Sequence, residues 1–312
     1  MQNTAATKEI KTGVRPHTLA ARIYKYRYFY LIMLPAIALL IIFKYIPMAG
    51  VSLAFTKYTA FAPPKFIGWD NFKELIGDAS FLSALKNTLI LSLVNLFLGM
   101  LFSIGFALLI NEIHRKLVKS VFQTILYIPH FISWVVTASI FYLILSPSGG
   151  VINQLAVSLG GKSTYFMISE KWWTPIFYLI NLWKGVGWGM IIYIAALSGI
   201  SDELYEAASI DGAGRLKQTW YITLPGIMNT ILVVLILHLA SVLNIFQSVF
   251  VLQNDLVLNV SEVIETYIYR VGLLQSDYGY STAVGLFKSV ISMILILITN
   301  NACKKIKGEG IL

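Results

Sequence analysis

Charge is scarce in this chain. Of 312 residues only 12% are Asp, Glu, Lys or Arg, while 57% are hydrophobic and the mean hydropathy is +0.73. A soluble domain carries about twice that charged fraction. So little charge excludes an ordinary water-facing globule and leaves the bilayer as the solvent, because lipid removes the need for a charged exterior. Cysteine is almost missing: Cys303 stands alone. That excludes an intrachain disulfide and a cysteine-based metal site, and leaves a buried or interfacial thiol. The four histidines, His17, His114, His130 and His238, have no metal-ligand spacing. There is no phosphate-binding loop. Gly160-Gly161-Lys162-Ser163 comes nearest, but Ala156 stands where the pattern needs its first glycine. No Ser-His-Asp order on a recognisable elbow occurs, and no fixed-period repeat. The chain therefore reads as non-catalytic, with no cofactor of its own.

What is present is a set of long apolar runs. A spanning helix needs about 20 apolar residues. Six segments qualify, at 29–54, 87–110, 121–145, 174–199, 226–252 and 281–301. The expectation is an all-α membrane protein with six transmembrane helices. Residues 1–28 form a basic tail, and 29–312 form one six-helix domain. The first apolar run is too long for a signal-peptide core and lacks a cleavage site, so it reads as an uncleaved span.

The formal net charge is +9. In a soluble protein that would point to nucleic acid, but here Lys and Arg cluster at the ends of apolar segments, which excludes that partner. The tail, 111–120, 200–225 and the C-terminal end together hold 14 Lys/Arg, against 7 in 55–86, 146–173 and 253–280. The positive-inside rule then places both termini and the 200–225 loop in the cytoplasm.

That loop contains EAASIDGAGRLKQTWYITLP at 206–225. Ser201 suits a helix N-cap, with Asp202 and Glu203 complementing the dipole in the first turn. Gly212 is placed to end the helix in a left-handed conformation, and Gly214 to turn the chain again. Pro225 fits the first turn of the next span. The expected product is a short helix, held between two tight turns, that can lodge in a groove on a partner.

The spacing Glu206-Ala207-Ala208, three residues to Gly212, then nine to Ile222-x-Leu224-Pro225, resembles the EAA loop of bacterial ABC importer permeases. LPAIALLIIFKYIPMAGVSLAFTKY at 34–58, FIGWDNFKELI at 66–76, LYIPHFIS at 126–133 and NLWKGVGWGM at 181–190 are similar to carbohydrate permeases of that family, the polysaccharide-fragment group above all. The resemblance covers essentially the whole chain. It implies the MetI-like permease fold and alternating access for an oligosaccharide. It also implies a second related permease, a dimer of cytoplasmic ATPases that bind ATP and Mg, and an extracellular solute-binding protein. Glu206, Ala207, Ala208, Asp211, Gly212, Leu224 and Pro225 would then couple the chain to its ATPase. A permease for another solute remains open on the loop alone. A gradient-driven transporter commonly carries intramembrane carboxylates and repeated halves, and neither is evident.

Within the predicted spans every Asp and Glu is missing, yet Lys44, Lys184 and Lys288 are present. Such a charge costs at least about 2.5–3.5 kcal/mol on insertion scales, so each needs a reason. Lys44 can snorkel from a helix end, and Lys288 either snorkels or serves function. Lys184 lies at mid-depth. Asn181, Lys184, Gly185 and Trp188 share one helical face, with Trp183 beside them. An amide, a cation and an indole on one strip suit a sugar, and the resemblance puts this helix in the pathway. The alternative is a Lys paired with an acid across a subunit interface. On the fifth segment His238, Ser241, Asn244 and Gln247 recur at helical spacing and either touch substrate or tie helices. Pro129 is expected to kink the third segment and free carbonyls, with His130 and Trp134 in packing roles. Lysine without acid suggests an anionic, uronate-containing substrate.

Overall fold

A computed structural model of the chain describes residues 26–60 and 62–307. The expected basic tail, 1–28, lies outside them except for its last three residues, and so does the side chain of Cys303. Two compact units divide at Val51. The first is helical. Helix α1 (Arg27–Leu40) continues through a π-helical turn (Ile41–Tyr45) into a short helical turn (Ile46–Met48). Pro47 accounts for the π turn, because a proline withdraws its N–H and crowds the preceding turn, and an extra residue relieves the crowding. Lys44 lies in that turn and is exposed.

The second unit opens with a hairpin, β1 (Thr56–Thr59) against β2 (Ala62–Phe66), in register Thr56 to Phe66 and Lys57 to Lys65. Helix α2 (Asp70–Gly77) is fastened to it by the buried Asn71 amide. Its Nδ2 donates to the Ala54 and Thr56 carbonyls at 2.8 and 3.0 Å. Asp78 caps α3 (Ala79–Asn111), accepting the Ser80 N–H at 2.8 Å. Tyr280, at 3.0 Å, and Tyr267 also donate to its carboxylate. Burial pushes the Asp78 pKa up, but the hydrogen bonds from Tyr267, Ser80 and Tyr280 outweigh it and hold the group below the usual carboxylate value.

The third expected span is two helices, α4 (Lys116–Phe131) and α5 (Trp134–Ile144), bent by 102°. Pro129 lies inside the last turn of the first, which ends at Phe131, and Ser133 caps the second by accepting the Val136 N–H at 3.3 Å. Helices α6 (Val151–Ser158), α7 (Glu170–Leu197), α8 (Asp202–Ile210) and α9 (Arg215–Gln218) follow. A π turn, Thr219–Thr223, joins α9 to α10 (Leu224–Ala240). The chain ends through α11 (Phe246–Leu252), α12 (Leu258–Ser261), α13 (Ile264–Ile268) and α14 (Tyr278–Lys307). Among the described residues, five continuous helices are long and apolar enough to cross a membrane, and the bent pair makes a sixth.

One expectation is corrected. The fifth span is not 226–252. It runs Arg215–Ala240, and the chain turns at Ser241–Ile245 before α11. Hydropathy continues across that turn, but the helix does not, and the Glu265 carboxylate accepts the Phe246 N–H at 2.7 Å where α11 begins. Pro225 lies in the first turn of α10, as expected, although α10 continues from α9 through the π turn rather than starting a separate helix. The π turn two residues before it repeats the arrangement at Pro47.

The principal helix contact is α3 against α7. Buried Trp173, Phe177 and Ile180 of α7 meet Leu91 of α3 and Leu252 of α11, and the Trp173 indole N–H donates to the Leu252 carbonyl at 2.8 Å. Gly187 lets α7 lie against α4, since a β-carbon there would overlap the Leu126 carbonyl.

Candidate functional site

A cavity of about 340 Å³ opens where α3, α4, α7 and α10 meet. It is lined by Asn95, Gly99 and Ser103 of α3, His130 of α4, Asn181, Gly185, Trp188 and Gly189 of α7, and His238 of α10, with aliphatic residues between. No Asp, Glu, Lys or Arg is among the lining residues. The His130 imidazole lies flat on the Trp188 indole, centroids 4.5 Å apart and planes within 5°. The volume and the mixture of apolar wall and few polar groups are those of a ligand site. Of the residues expected on a pathway, Asn181, Gly185, Trp188 and His238 line the cavity. Trp183 does not, its ring meeting Phe141 edge-on at 5.4 Å. Ser241, Asn244 and Gln247 are absent from it because the helix ends at Ala240. His130 joins the wall despite its expected packing role. Asn95, Gly99 and Ser103 were missed in the sequence, where their signal is a polar and small stripe at i, i+4 and i+8.

The 200–225 loop forms a second feature. Ser201 caps α8 by accepting the Glu203 N–H at 3.3 Å. After Asp211, Gly212 takes φ +75°, and the Ala213 N–H closes on the Ala208 carbonyl at 2.8 Å. Gln218 braces the turn, donating to Ser209 Oγ at 2.9 Å and the Ala213 carbonyl at 3.0 Å. Arg215 pairs with Glu112 at 3.0 Å, and the Tyr205 and Thr223 hydroxyls are 3.0 Å apart. Glu206 and Ala207 are exposed, Ala208 and Leu224 are half-buried, and Pro225 is exposed. No residue of α8 is buried. Ile210 and Leu216 are 87% and 80% exposed. A braced helix with bare apolar residues is a surface made for contact.

The sequence pattern of the binding-protein-dependent transport system inner membrane component matches residues 96–308. The chain belongs to this family. It is a multi-pass inner membrane permease, a transport subunit and not an enzyme. The polygalacturonan/rhamnogalacturonan transport system permease protein YteP of Bacillus subtilis (strain 168) is 41% identical over 94% of this chain and 92% of its own. Protein LplB of the same strain is 40% identical over 91% of each. Among solved structures, a bacterial ABC transporter involved in the import of the acidic polysaccharide alginate superposes with TM-score 0.87 at 37% identity, over 93% of this chain and 99% of that one. The bacterial alginate ABC transporter in complex with alginate pentasaccharide-bound periplasmic protein gives 0.86 at 37% identity, over 94% and 99%.

Lys184 of the permease is buried and turns away from the cavity, toward the break between α4 and α5. Its Nζ donates to the carbonyls of Pro129 at 3.3 Å and His130 at 2.9 Å, and to that of Ile132. The last carbonyls of a helix have no intrahelical partner and carry the negative end of its dipole. A cation there answers both deficits. The ammonium also lies 5.4 Å from the Trp134 ring centroid. Within this chain the Pro129 break takes all three donors of Lys184, and the residue is not among those that line the cavity.

Lys288 of α14 is also accounted for. It donates to Glu265 at 2.6 Å and Asn244 at 2.7 Å, while the other Glu265 oxygen accepts the Phe246 N–H at 2.7 Å. This carboxylate heads α11 and stabilises the turn that interrupts the expected fifth helix. Lysine without acid is therefore corrected here: Glu265 comes from α13, a segment outside every predicted span.

Proposed function

We propose that this permease carries an acidic, uronate-containing oligosaccharide across the inner membrane by alternating access. The observation that carries the reading is the cavity at the junction of four helices. The His130–Trp188 stack offers a flat face to a sugar ring, Asn95, Asn181 and His238 offer hydrogen bonds to hydroxyls, and no carboxylate in the lining repels a uronate. The similarity to a polygalacturonan/rhamnogalacturonan permease and an alginate importer supports the same substrate class. Both termini and the 200–225 loop face the cytoplasm, as the distribution of Lys and Arg supports. There Glu206–Gly212 seats on a separate ATPase dimer that binds ATP and Mg, and its movement tilts the spans through the Arg215–Glu112 and Tyr205–Thr223 contacts. A second, related permease completes the pathway, and an extracellular binding protein delivers the sugar.

The test is uptake by the complete importer in proteoliposomes. A galacturonate trisaccharide should be carried and a neutral trisaccharide should not, and Trp188→Ala should slow uptake on the order of tenfold. Equal uptake of both sugars would overturn the acidic reading, and normal uptake by Trp188→Ala would overturn the cavity.

A further inference from the structure

The buried ammonium of Lys184 reaches backbone on both sides of the bend. Pro129 and His130 belong to the end of α4, and Ile132 lies in the extended link before Ser133. Pro129 is itself buried. In the four residues from Pro129 to Ile132 the chain turns by 102° in the middle of a span. Backbone carbonyls at membrane depth have no water to accept from, so an unsupported break would close or shift. The same few residues carry His130, whose ring forms one half of the aromatic wall. One carbonyl that Lys184 holds is that of His130. Four residues along α7, one turn on, stands Trp188, the other half of the wall. Helix α7 therefore supplies both the clamp that fixes the His130 backbone and the indole that receives the His130 ring.

We propose that Lys184 is a positioning residue of the transport pathway: by holding the Pro129–Ile132 break it sets His130 on Trp188 and so shapes the face that meets the sugar. This rests on the cavity being the substrate's path. A charge that attracts the uronate directly would need a free donor facing the cavity. Lys184 has none to give, and it does not line the cavity. The role is geometric, so it applies to any sugar that stacks on the wall. Gly187 strengthens the argument, because it brings α7 against the Leu126 carbonyl of α4 one turn before the break.

The experiment uses the complete importer with its binding protein in proteoliposomes, loaded with a galacturonate trisaccharide. It reads sugar moved per ATP hydrolysed. Lys184→Met and His130→Ala should each lower this ratio about tenfold, and the double variant should fall no further than either alone. Lys184→Arg, which keeps a cation with several donors, should recover a large part of the loss. Two losses that multiply in the double variant would overturn the proposal, because the residues would then act independently. A fall in hydrolysis and uptake together, with the ratio unchanged, would reduce Lys184 to a general folding role and also overturn it. Trp188→Ala separates the two readings. If it impairs uptake while the Lys184 and His130 losses multiply, only the positioning role fails. If uptake is normal, the cavity is not the pathway, and the inference falls with it.

Discussion

Lys288 and Glu265 meet at 2.6 Å with side chains only 14% and 22% exposed. Water is largely excluded from both, so each charge depends on the other. Removing one partner of a buried pair leaves an uncompensated charge, whereas removing both removes the problem as well. Lys288→Met should therefore destabilise the permease by roughly 3 kcal/mol, and adding Glu265→Gln should restore much of that. Thermal unfolding of the purified protein in detergent measures it, and equal melting for wild type and Lys288→Met would show that the pair contributes nothing. The same carboxylate also accepts the Phe246 N–H, so the single variant should loosen α11 in hydrogen exchange before the rest of the unit. Lys288 itself was readable in the sequence as a residue in need of a reason. Its partner was not, because Glu265 lies 23 residues away on a separate element.

At the scale of elements, the glycines of α7 divide by neighbour. Gly187 faces the Leu126 backbone, while a β-carbon at Gly185 would meet nothing within 4 Å. Gly187→Ala should lower stability by about 1–3 kcal/mol through overpacking, since the obstructing atom is a carbonyl and not a flexible side chain. Gly185→Ala should fold as wild type, its methyl entering the cavity. Melting temperatures of the two variants, read side by side, check this, and an equal loss would mean that α4 and α7 are not in close contact. Helix identity was well marked in the sequence at this scale. The α8 cap at Ser201 and the left-handed Gly212 follow from short-range chemistry, which the local residues supply in full. The breaks were marked less well. Pro129 announced a kink, but the 102° angle depends on Lys184, 55 residues on from Pro129. The end of α10 at Ala240 has no proline or glycine to announce it and depends on Glu265 and Lys288.

For the whole molecule, the decisive question is attachment. The exposed Ile210 and Leu216 flank a helix braced by Gln218, Arg215 and Tyr205, and a rigid surface of this kind transmits force only if something is seated on it. Affinity purification of the detergent-solubilised permease should recover an ATPase, and Gly212→Asp should lose it, because a side chain at φ +75° strains the turn that ends α8. Recovery of the ATPase with both forms would remove Gly212 from the coupling role. At this scale the sequence alone determined most of the outcome. Low charge and long apolar runs are one-dimensional quantities, and they suffice to require a helical membrane protein with about six spans. The loop motif is local and carried the family with it. Only the tertiary structure decided which polar residues face the cavity and which support the frame. Lys184, Trp183 and Asn244 carry the same chemistry wherever they point. Their neighbours on other helices turn Lys184 toward a broken helix end and His130 toward Trp188, because buried carbonyls and charges must be satisfied by whatever the fold brings within reach.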